Sequence, residues 1–418
     1  MHPGKVLVIV LLCLSGVASP AADEQTNAMI RPEWLRDDVR FLMQTLEEVH
    51  PNLYFKVSKT EISRRLKDLN DGLTNSLTAA EFYYRVTPLV EGFGDLHTTI
   101  SRPAGATNVS KTPYLRITIP NYRWKFEILD TNIGYLDFVG MAHRDEFGVF
   151  LKETFGTIRE QRLRGLIIDL RKDTGGDSSL GDDLLDHFNE KPYRPIARKD
   201  WRFSRQFISA IPQNLKEYWT PEIPANLKEP LSAKPGPELK DFLAQNPTVE
   251  LKQFLDEQAP TWLKDYLKTN APHWLDPAYS PETQKEILTD LTEMRQPPAA
   301  SPLLFKGPVC FLVGPATFSS GVVLANSVED FHLATLIGQE TEEPCNQFGE
   351  IIRFRLPHSG LGGWVSTAQL VRANGDAINT RGVVPDIEVK PTESDRERGI
   401  DSVLEAAKRW IRDQSGNH

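Results

Sequence analysis

Three short apolar segments, each followed by a helical pattern, constrain the fold of this chain more than any other feature. Residues 165–170 form a nearly continuous apolar run, which is typical of a strand buried on both faces of a parallel sheet. Residues 133–138 also have the pattern of a strand, and residues 309–313 form a third such segment. The third is followed by a helical pattern over 321–331 and another strand pattern over 334–338. This repeated order of strand, helix and strand predicts an α/β core.

The segment before this core has the apolar spacing of helices. Residues 32–94 show apolar side chains at intervals of three and four. One helix is predicted to begin at Thr78, because Glu81 lies three places further on and the two residues have the capping-box spacing. Pro88 is expected to bend or break this helix, and Gly92 and Gly94 are expected to end it.

Between residues 190 and 302 the chain is rich in proline and holds four of the eight tryptophans. Short amphipathic segments lie between the prolines, so we expect a largely helical insertion rather than a disordered linker. An amphipathic pattern near the end predicts a last helix that packs on the core. The predicted units are a signal peptide (1–21), a helical unit (22–100), the α/β core (101–190 and 303–395), the insertion (191–302) and a C-terminal helix (396–418).

The first residues have the layout of a secretory signal. Lys5 precedes an apolar run over residues 6–17, and small residues follow at 18–22. A membrane span would need about 20 apolar residues, which this run does not supply. We therefore expect export to the periplasm or the exterior, with no stable membrane span once the signal is removed.

Charge, cysteine content and histidine spacing argue against nucleic-acid binding, several disulfides and a zinc site. The formal net charge is −9, so no large basic field is available for nucleic acid. Beyond the signal segment only Cys310 and Cys345 remain, which permits one bridge at most and leaves its existence open. The histidines are scattered without the spacing of a zinc site, so no metal is expected.

Two turns and one histidine are the candidate functional positions. The turn at 171–177 follows a buried strand and can present backbone N–H groups, although it can equally be an ordinary tight turn. The turn at 314–321 places Ser319 and Ser320 at a helix start, where either could act as nucleophile or serve only as a cap. His97 lies in a polar turn and could be a general base or a satisfied structural residue.

Taken together, these segments resemble one family, the C-terminal processing or tail-specific serine peptidases. This family includes tricorn-type proteases and the related interphotoreceptor retinoid-binding modules. The matching segments, in family order, are 95–98, 132–136, 166–176, 317–321, 336–341 and 382–386. The resemblance implies a ClpP/crotonase-like β-α core. No PDZ domain is expected, because the connector from 101 to 125 is too short to form one.

The resemblance also implies roles for individual residues. Ser320 is the expected nucleophile, since the family's serine directly precedes a helix, and Ser319 is the alternative. The backbone N–H groups of Gly321 and Gly176 are the expected oxyanion hole, where they would stabilise charge that develops only in the transition state.

One departure from the family pattern concerns the general base. The tail-specific branch uses a lysine about two dozen residues after the serine, but no lysine occurs between Gly321 and Val389. The resemblance to the tricorn-type branch instead assigns the base to His97. Asp95, Asp386 and Glu340 are the candidate carboxylates that would orient its ring.

The sequence therefore predicts an exported serine endopeptidase that acts on peptides or unfolded proteins and needs no cofactor. Two alternatives stay open. An esterase would use the same groups, because ester and amide acyl transfer need the same chemistry. A noncatalytic binding module on the same scaffold is the other, favoured by the unusual acidic stretch at 342–345. The sequence leaves the oligomeric state open.

Overall fold

The structure is a computed structural model that describes residues 28–107, 117–129, 132–202, 204, 206, 287–298 and 303–415. Its helices are α1 (Pro32–Val49), α2 (Lys59–Gly72), α3 (Ala79–Glu91), α4 (Arg144–Glu160), α5 (Ser179–Leu185), α6 (Ser320–Phe331), α7 (Glu393–Glu397) and α8 (Ser402–Ser415). Its strands are β1 (Thr99–Ile100), β2 (Trp124–Leu129), β3 (Ile133–Phe138), β4 (Gly165–Asp169), β5 (Arg198–Arg202), β6 (Ile287–Leu291), β7 (Val309–Val313), β8 (Thr335–Gly338), β9 (Gln347–Arg355), β10 (Gly362–Val371) and β11 (Ile387–Glu388).

The first sheet is the predicted α/β core. Its six strands lie in the order β11-β8-β7-β4-β3-β2, and all neighbours are parallel except β2 and β3. Every residue of β4 and β7 is buried, as expected for central parallel strands. On one face α8 packs through Val403, Ala407 and Ile411, so the predicted C-terminal helix does pack on the core. Helices α4, α5 and α6 contribute to the core cluster on the other side.

The N-terminal helices follow the sequence pattern closely, with one exception. The capping box of Thr78 and Glu81 is present at the start of α3. Pro88 does not break this helix, because α3 continues through it to Glu91. Leu89 and Val90 are buried in the core, so packing holds the last turn although proline removes one hydrogen bond. Gly92 ends the helix, and its N–H donates to the Pro88 carbonyl.

A second, antiparallel sheet was not predicted from the sequence. It has five strands, in the order β1-β10-β5-β6, with β9 paired to β10. Strands β5 and β6 lie near the two ends of the stretch predicted to be a largely helical insertion. These two segments are therefore strands and not helices. Residues 207–286, on which the rest of that prediction falls, lie outside the described residues.

The helical unit and the second sheet share one apolar core. Leu35, Leu42 and Val86 of the helices lie in the same cluster as Ile352 and Val365 of β9 and β10. The N-terminal helices are therefore packed against strands that come more than 250 residues later in the chain. The turn that carries His97 connects α3 to β1, and β1 pairs with β10. This turn therefore lies where the N-terminal helices meet the second sheet.

Two further expectations concern cysteines and membrane spans. Cys310 and Cys345 are both buried free thiols, so the bridge that the sequence permitted is not formed. Within the part of the chain that the structure describes, no helix has both the length and the apolar character needed to cross a bilayer. The predicted signal peptide lies outside the described residues.

The shared core makes a prediction about stability. Leu42→Ala should lower the free energy of unfolding by about 2–5 kcal/mol, because the side chain is fully buried between the helices and the second sheet. Phe41→Ala is the matched control, since this neighbour is 41% exposed and should cost about 1 kcal/mol or less. Urea denaturation followed by circular dichroism would measure both. Equal effects of the two substitutions would contradict the packing described here.

Candidate active site

A sharp turn connects β7 to α6 and carries the two candidate serines. The Thr317 hydroxyl holds this turn, as it donates to the Leu170 carbonyl and accepts from the Gly314 N–H. The Phe318 N–H donates to the Asp173 carbonyl and joins this turn to the one that follows β4. Ser319 has φ 55° and ψ −123°, a region that residues other than glycine rarely adopt. Such strain is typical of functional sites, and a serine at a strand-to-helix elbow is the arrangement of a nucleophile.

The glycine turn after β4 lies directly against this elbow. Gly175 has φ 79°, and a Cβ there would lie 2.4 Å from the Ser319 Cβ and 2.8 Å from the Ser320 nitrogen. Gly176 has φ 129°, and a Cβ there would lie 2.0 Å from the Met141 carbonyl oxygen. Both positions therefore require glycine for conformation and for space. The close approach brings the backbone of the turn next to the start of α6.

His97 reaches the same place from the other end of the chain. Its Nδ1 lies 3.1 Å from Oε1 of Glu343, and its ring stacks on Phe318 with 4.4 Å between ring centroids. The side chain is only 10% exposed. The structure thus brings together the predicted histidine and the serine turn, which lie more than 200 residues apart in sequence.

The buried Glu343 carboxylate joins the histidine to the elbow. One of its oxygens contacts His97 Nδ1, and the other accepts a short hydrogen bond from the Ser319 N–H. A carboxylate beside Nδ1 favours the tautomer with the proton on Nδ1, which leaves Nε2 able to accept a proton. This is the protonation state that a general base needs.

The electrostatics of the pair favour a more basic imidazole. Burial lowers the pKa of His97, but the carboxylates of Glu343, Asp95 and Glu350 together raise it by more, and Glu343 contributes most of the increase. The net result is a His97 pKa above its ordinary value.

None of the three predicted orienting carboxylates pairs with the His97 ring in the described contacts. Glu340 pairs with Arg381 at the surface, and Asp386 accepts from the Leu336 N–H. Asp95 accepts the backbone N–H of His97 rather than the ring. The carboxylate on the ring is Glu343, which the sequence reasoning missed. A signal was present, because Glu343 lies 24 residues after Ser319, about where the family's lysine would be.

The position of Glu343 also changes what the acidic stretch at 342–345 indicates. From sequence alone this stretch favoured a noncatalytic binding module. In the structure it supplies the carboxylate that pairs with His97, which is an arrangement for proton transfer. The observation that favoured the binding module therefore no longer does so.

Asp95 organises the turn that carries His97. Its carboxylate accepts from the His97 N–H at 2.9 Å, the Thr98 hydroxyl at 2.5 Å and the Ser366 hydroxyl at 2.7 Å. His50 Nε2 lies 3.2 Å from the same carboxylate, and both side chains are buried. Burial raises the pKa of Asp95, but the bonds from His50 and the other donors outweigh it and the net pKa is lowered. Asp95 therefore fixes the backbone of the histidine turn as a buried anion.

Ser320 and Gly321 have contacts that bear on their expected roles. The Ser320 side chain is buried, and its hydroxyl donates to the Gly176 carbonyl at 2.6 Å. The Gly321 N–H donates to the Phe318 carbonyl at 3.0 Å. By contrast, the backbone N–H groups of Ser320 and Gly176 donate to no acceptor among the described residues. Neither serine hydroxyl has a described hydrogen bond to the His97 ring.

No metal site appears near these residues. The described part of the chain contains no group of three or more His, Cys, Asp or Glu side chains that could hold a metal ion.

A strained serine elbow, a glycine turn against it and a buried histidine-carboxylate pair are together the parts of a serine hydrolase. The model of Peptidase family S41 matches residues 132–389, which is more than half of the chain. The chain belongs to this family and is a serine peptidase, which confirms the resemblance to the C-terminal processing peptidases. No curated protein matches the chain.

Solved structures show the same fold at low sequence identity. Mature CPAF complexed with lactacystin is 12% identical with a TM-score of 0.57, and the match covers 93% of this chain and 99% of that one. Mature CPAF alone is 13% identical with a TM-score of 0.54, covering 92% and 98%. A candidate peptidase from Parabacteroides merdae ATCC 43184 is 15% identical with a TM-score of 0.53, covering 90% and 96%. These likenesses confirm the α/β fold over nearly the whole chain.

The buried Asp95 makes a prediction about stability. Asp95→Ala should cost about 3–5 kcal/mol of unfolding free energy near neutral pH, since it leaves His50 and three other donors without their buried partner. Asp68→Ala is the control, because this aspartate pairs with Arg64 at the surface and should cost about 1 kcal/mol or less. Since the Asp95 pKa is lowered by folding, its stabilisation should disappear as pH falls below about 4. Equal losses in both variants would contradict the role of Asp95.

Proposed function

We propose that this S41 peptidase cleaves peptide bonds with Ser319 as nucleophile, His97 as general base and Glu343 as the carboxylate that orients His97. The observation that carries the proposal is the double contact of Glu343, which bonds the imidazole with one oxygen and the Ser319 backbone with the other. A single buried group thus fixes the base relative to the elbow. The assignment replaces our first choice from sequence, Ser320, with the alternative.

One backbone conformation and two hydrogen bonds support Ser319 over Ser320 as the nucleophile. The strained backbone belongs to Ser319, and strain of this kind persists only where the surroundings impose it. The hydroxyl of Ser320 is buried and engaged with the Gly176 carbonyl. The N–H that would serve Ser320 as oxyanion donor, that of Gly321, is already bonded to the Phe318 carbonyl.

The same contacts suggest a different oxyanion hole. If Ser319 attacks, the N–H of the following residue is that of Ser320, and Gly176 can supply the second donor. Each donor would be worth about 2.7–4 kcal/mol of barrier, because the oxygen becomes negative only in the transition state. The Ser320 hydroxyl would then have a supporting role, since its bond to the Gly176 carbonyl holds the glycine turn against the elbow.

The reaction proposed is acyl transfer in two stages. The Ser319 hydroxyl attacks the peptide carbonyl and His97 Nε2 takes its proton, while Glu343 stabilises the resulting imidazolium. The tetrahedral intermediate collapses, and His97 passes the proton to the leaving amine. Water, deprotonated by the same imidazole, then attacks the acyl-enzyme and releases the acid.

We further propose an exported enzyme whose substrates are peptides or unfolded proteins. The support for export is the signal-like layout of residues 1–22, and the support for the substrate class is membership of a peptidase family. An esterase activity would use the same groups. Assaying a peptide and an ester with the same acyl group would separate the two activities.

The nucleophile assignment predicts opposite results for two neighbouring serines. Ser319→Ala should lower kcat on an unstructured protein by about 10⁴-fold or more, because it removes the attacking oxygen. Ser320→Ala should lower kcat by about tenfold or less, since it removes one hydrogen bond worth about 0.5–1.5 kcal/mol. Circular dichroism and thermal unfolding would establish that both variants fold. A larger loss in the folded Ser320 variant than in the Ser319 variant would overturn the assignment.

The His97–Glu343 pair makes a prediction about pH. The neutral imidazole is the base, so kcat/KM should fall as pH drops through the His97 pKa, with a midpoint above about 6.5. Glu343→Gln removes the charge that raises this pKa, so the midpoint should move to lower pH while kcat falls by about 10⁴-fold, as in other orienting-carboxylate variants. Glu342→Gln is the control, because this neighbouring glutamate is exposed. An unmoved midpoint in the Glu343 variant would exclude the pair as the titrating unit.

A further inference from the structure

One buried carboxyl group beneath the active-site turn has no part in the mechanism above. Asp173 is fully buried in the turn that follows β4 and leads to Gly175 and Gly176. Its Oδ1 accepts the Gly175 N–H at 2.7 Å, and its backbone carbonyl accepts the Phe318 N–H. A Cβ on Gly321 would lie 2.7 Å from Oδ1. The carboxyl group is therefore packed between the glycine turn and the first turn of α6.

The second oxygen of this carboxyl group has no partner. Asp173 Oδ2 is buried and makes no hydrogen bond among the described residues. A carboxylate with one hydrogen bond and no cation is costly to bury, whereas a neutral carboxylic acid is much less so. The geometry alone thus favours the protonated form.

The charges around Asp173 act in the same direction. On β3, Asp137 is a second acid that disfavours ionisation, and just after β4 Arg171 is engaged with Asp169 and Asp401. The first residues of α6, 320–325, have no ionisable side chain. The net pKa of Asp173 is raised to about 8, because burial and the nearby Asp137 raise it by more than the Gly175 N–H lowers it.

We propose that Asp173 is a positioning residue that, as a neutral carboxylic acid, holds the glycine turn against the nucleophile elbow. The neutral form keeps the bond from Gly175 N–H to Oδ1 without burying a charge whose second oxygen has no partner. Ionisation would put an unpaired charge in this dry position, and water or a rearrangement of the turn would have to compensate. Loss of the proton should therefore displace the Gly176 donor and lower the rate. The effect on rate rests on the proposed function, because it requires this turn to supply an oxyanion donor.

The direct test is the pH dependence of kcat for Asp173→Asn, which keeps the acceptor oxygen and cannot ionise. Wild-type kcat on an unstructured protein should fall above about pH 8, by up to tenfold per pH unit. The Asn variant should have at least a third of wild-type kcat at neutral pH and should stay level well above pH 8. Asp177→Asn is the matched control, since it makes the same change of side chain at a half-exposed position in the same turn and should keep the wild-type fall.

Three outcomes would overturn the proposal. The first is a wild-type enzyme with no loss of kcat up to about pH 9.5. The second is an Asn variant whose kcat falls with the wild-type midpoint. The third is a folded Asn variant with less than a tenth of wild-type kcat at neutral pH, which would mean that the charged form is required.

A stability measurement tests the protonation state without using activity. An acid whose pKa is about 8 when folded and about 4 when unfolded loses stabilisation as pH rises between these values, whereas Asn does not. The Tm of Asp173→Asn minus that of wild type should therefore increase from about pH 4 to pH 8 and then level off. A constant difference would exclude a neutral Asp173. If this difference appears but the enzyme cleaves nothing, the proposed function fails while the neutral state of Asp173 stands.

Discussion

The two hydrogen bonds of the Glu343 carboxylate are the interaction on which the site depends. A buried carboxylate must be satisfied by donors, and here the donors are His97 Nδ1 and the Ser319 N–H. The two donors lie in the histidine turn and the serine elbow, which are too far apart in sequence for a local interaction to bring them together. Satisfying one charge therefore fixes the ring of the base and the backbone of the elbow in one arrangement.

Each partner of Glu343 is supported by its own scaffold. The elbow is held from both sheets. Thr317 bonds the Leu170 carbonyl just after β4 of the first sheet, and Gln347 of β9 in the second sheet donates to the Ser319 carbonyl. The His97 turn is held by Asp95, which connects it to His50 and to Ser366 of β10. Strain at Ser319 persists because hydrogen bonds hold its backbone on both sides. The site thus lies where the α/β core meets the layer of helices and antiparallel strands.

The sequence predicted the parts of the structure whose signals are local. Strands 133–138 and 309–313 have the predicted limits, because buried parallel strands are largely apolar, and the Thr78 capping box is encoded by two residues. The second sheet was missed because β5 is short and largely polar, so its sequence pattern does not predict a strand. The continuation of α3 through Pro88 was also missed, since it depends on tertiary packing of the residues around it.

In the candidate site, too, the features with local sequence signals were predicted and those that depend on tertiary structure were not. His97 and the two turns could be found because the residues next to each of them in sequence gave a signal. The resemblance to a peptidase family then assigned all three to one active site. The choice between Ser319 and Ser320 could not be made from sequence, since it depends on backbone angles and on which hydroxyl is already bonded. Glu343 was missed because its role depends on where the loop after β8 places it.

The most direct test of the nucleophile assignment is to treat the wild-type protein with a fluorophosphonate and locate the adduct by tandem mass spectrometry of the peptide that contains the elbow. We predict the adduct on Ser319, and an adduct on Ser320, or none in a folded protein, would contradict the account.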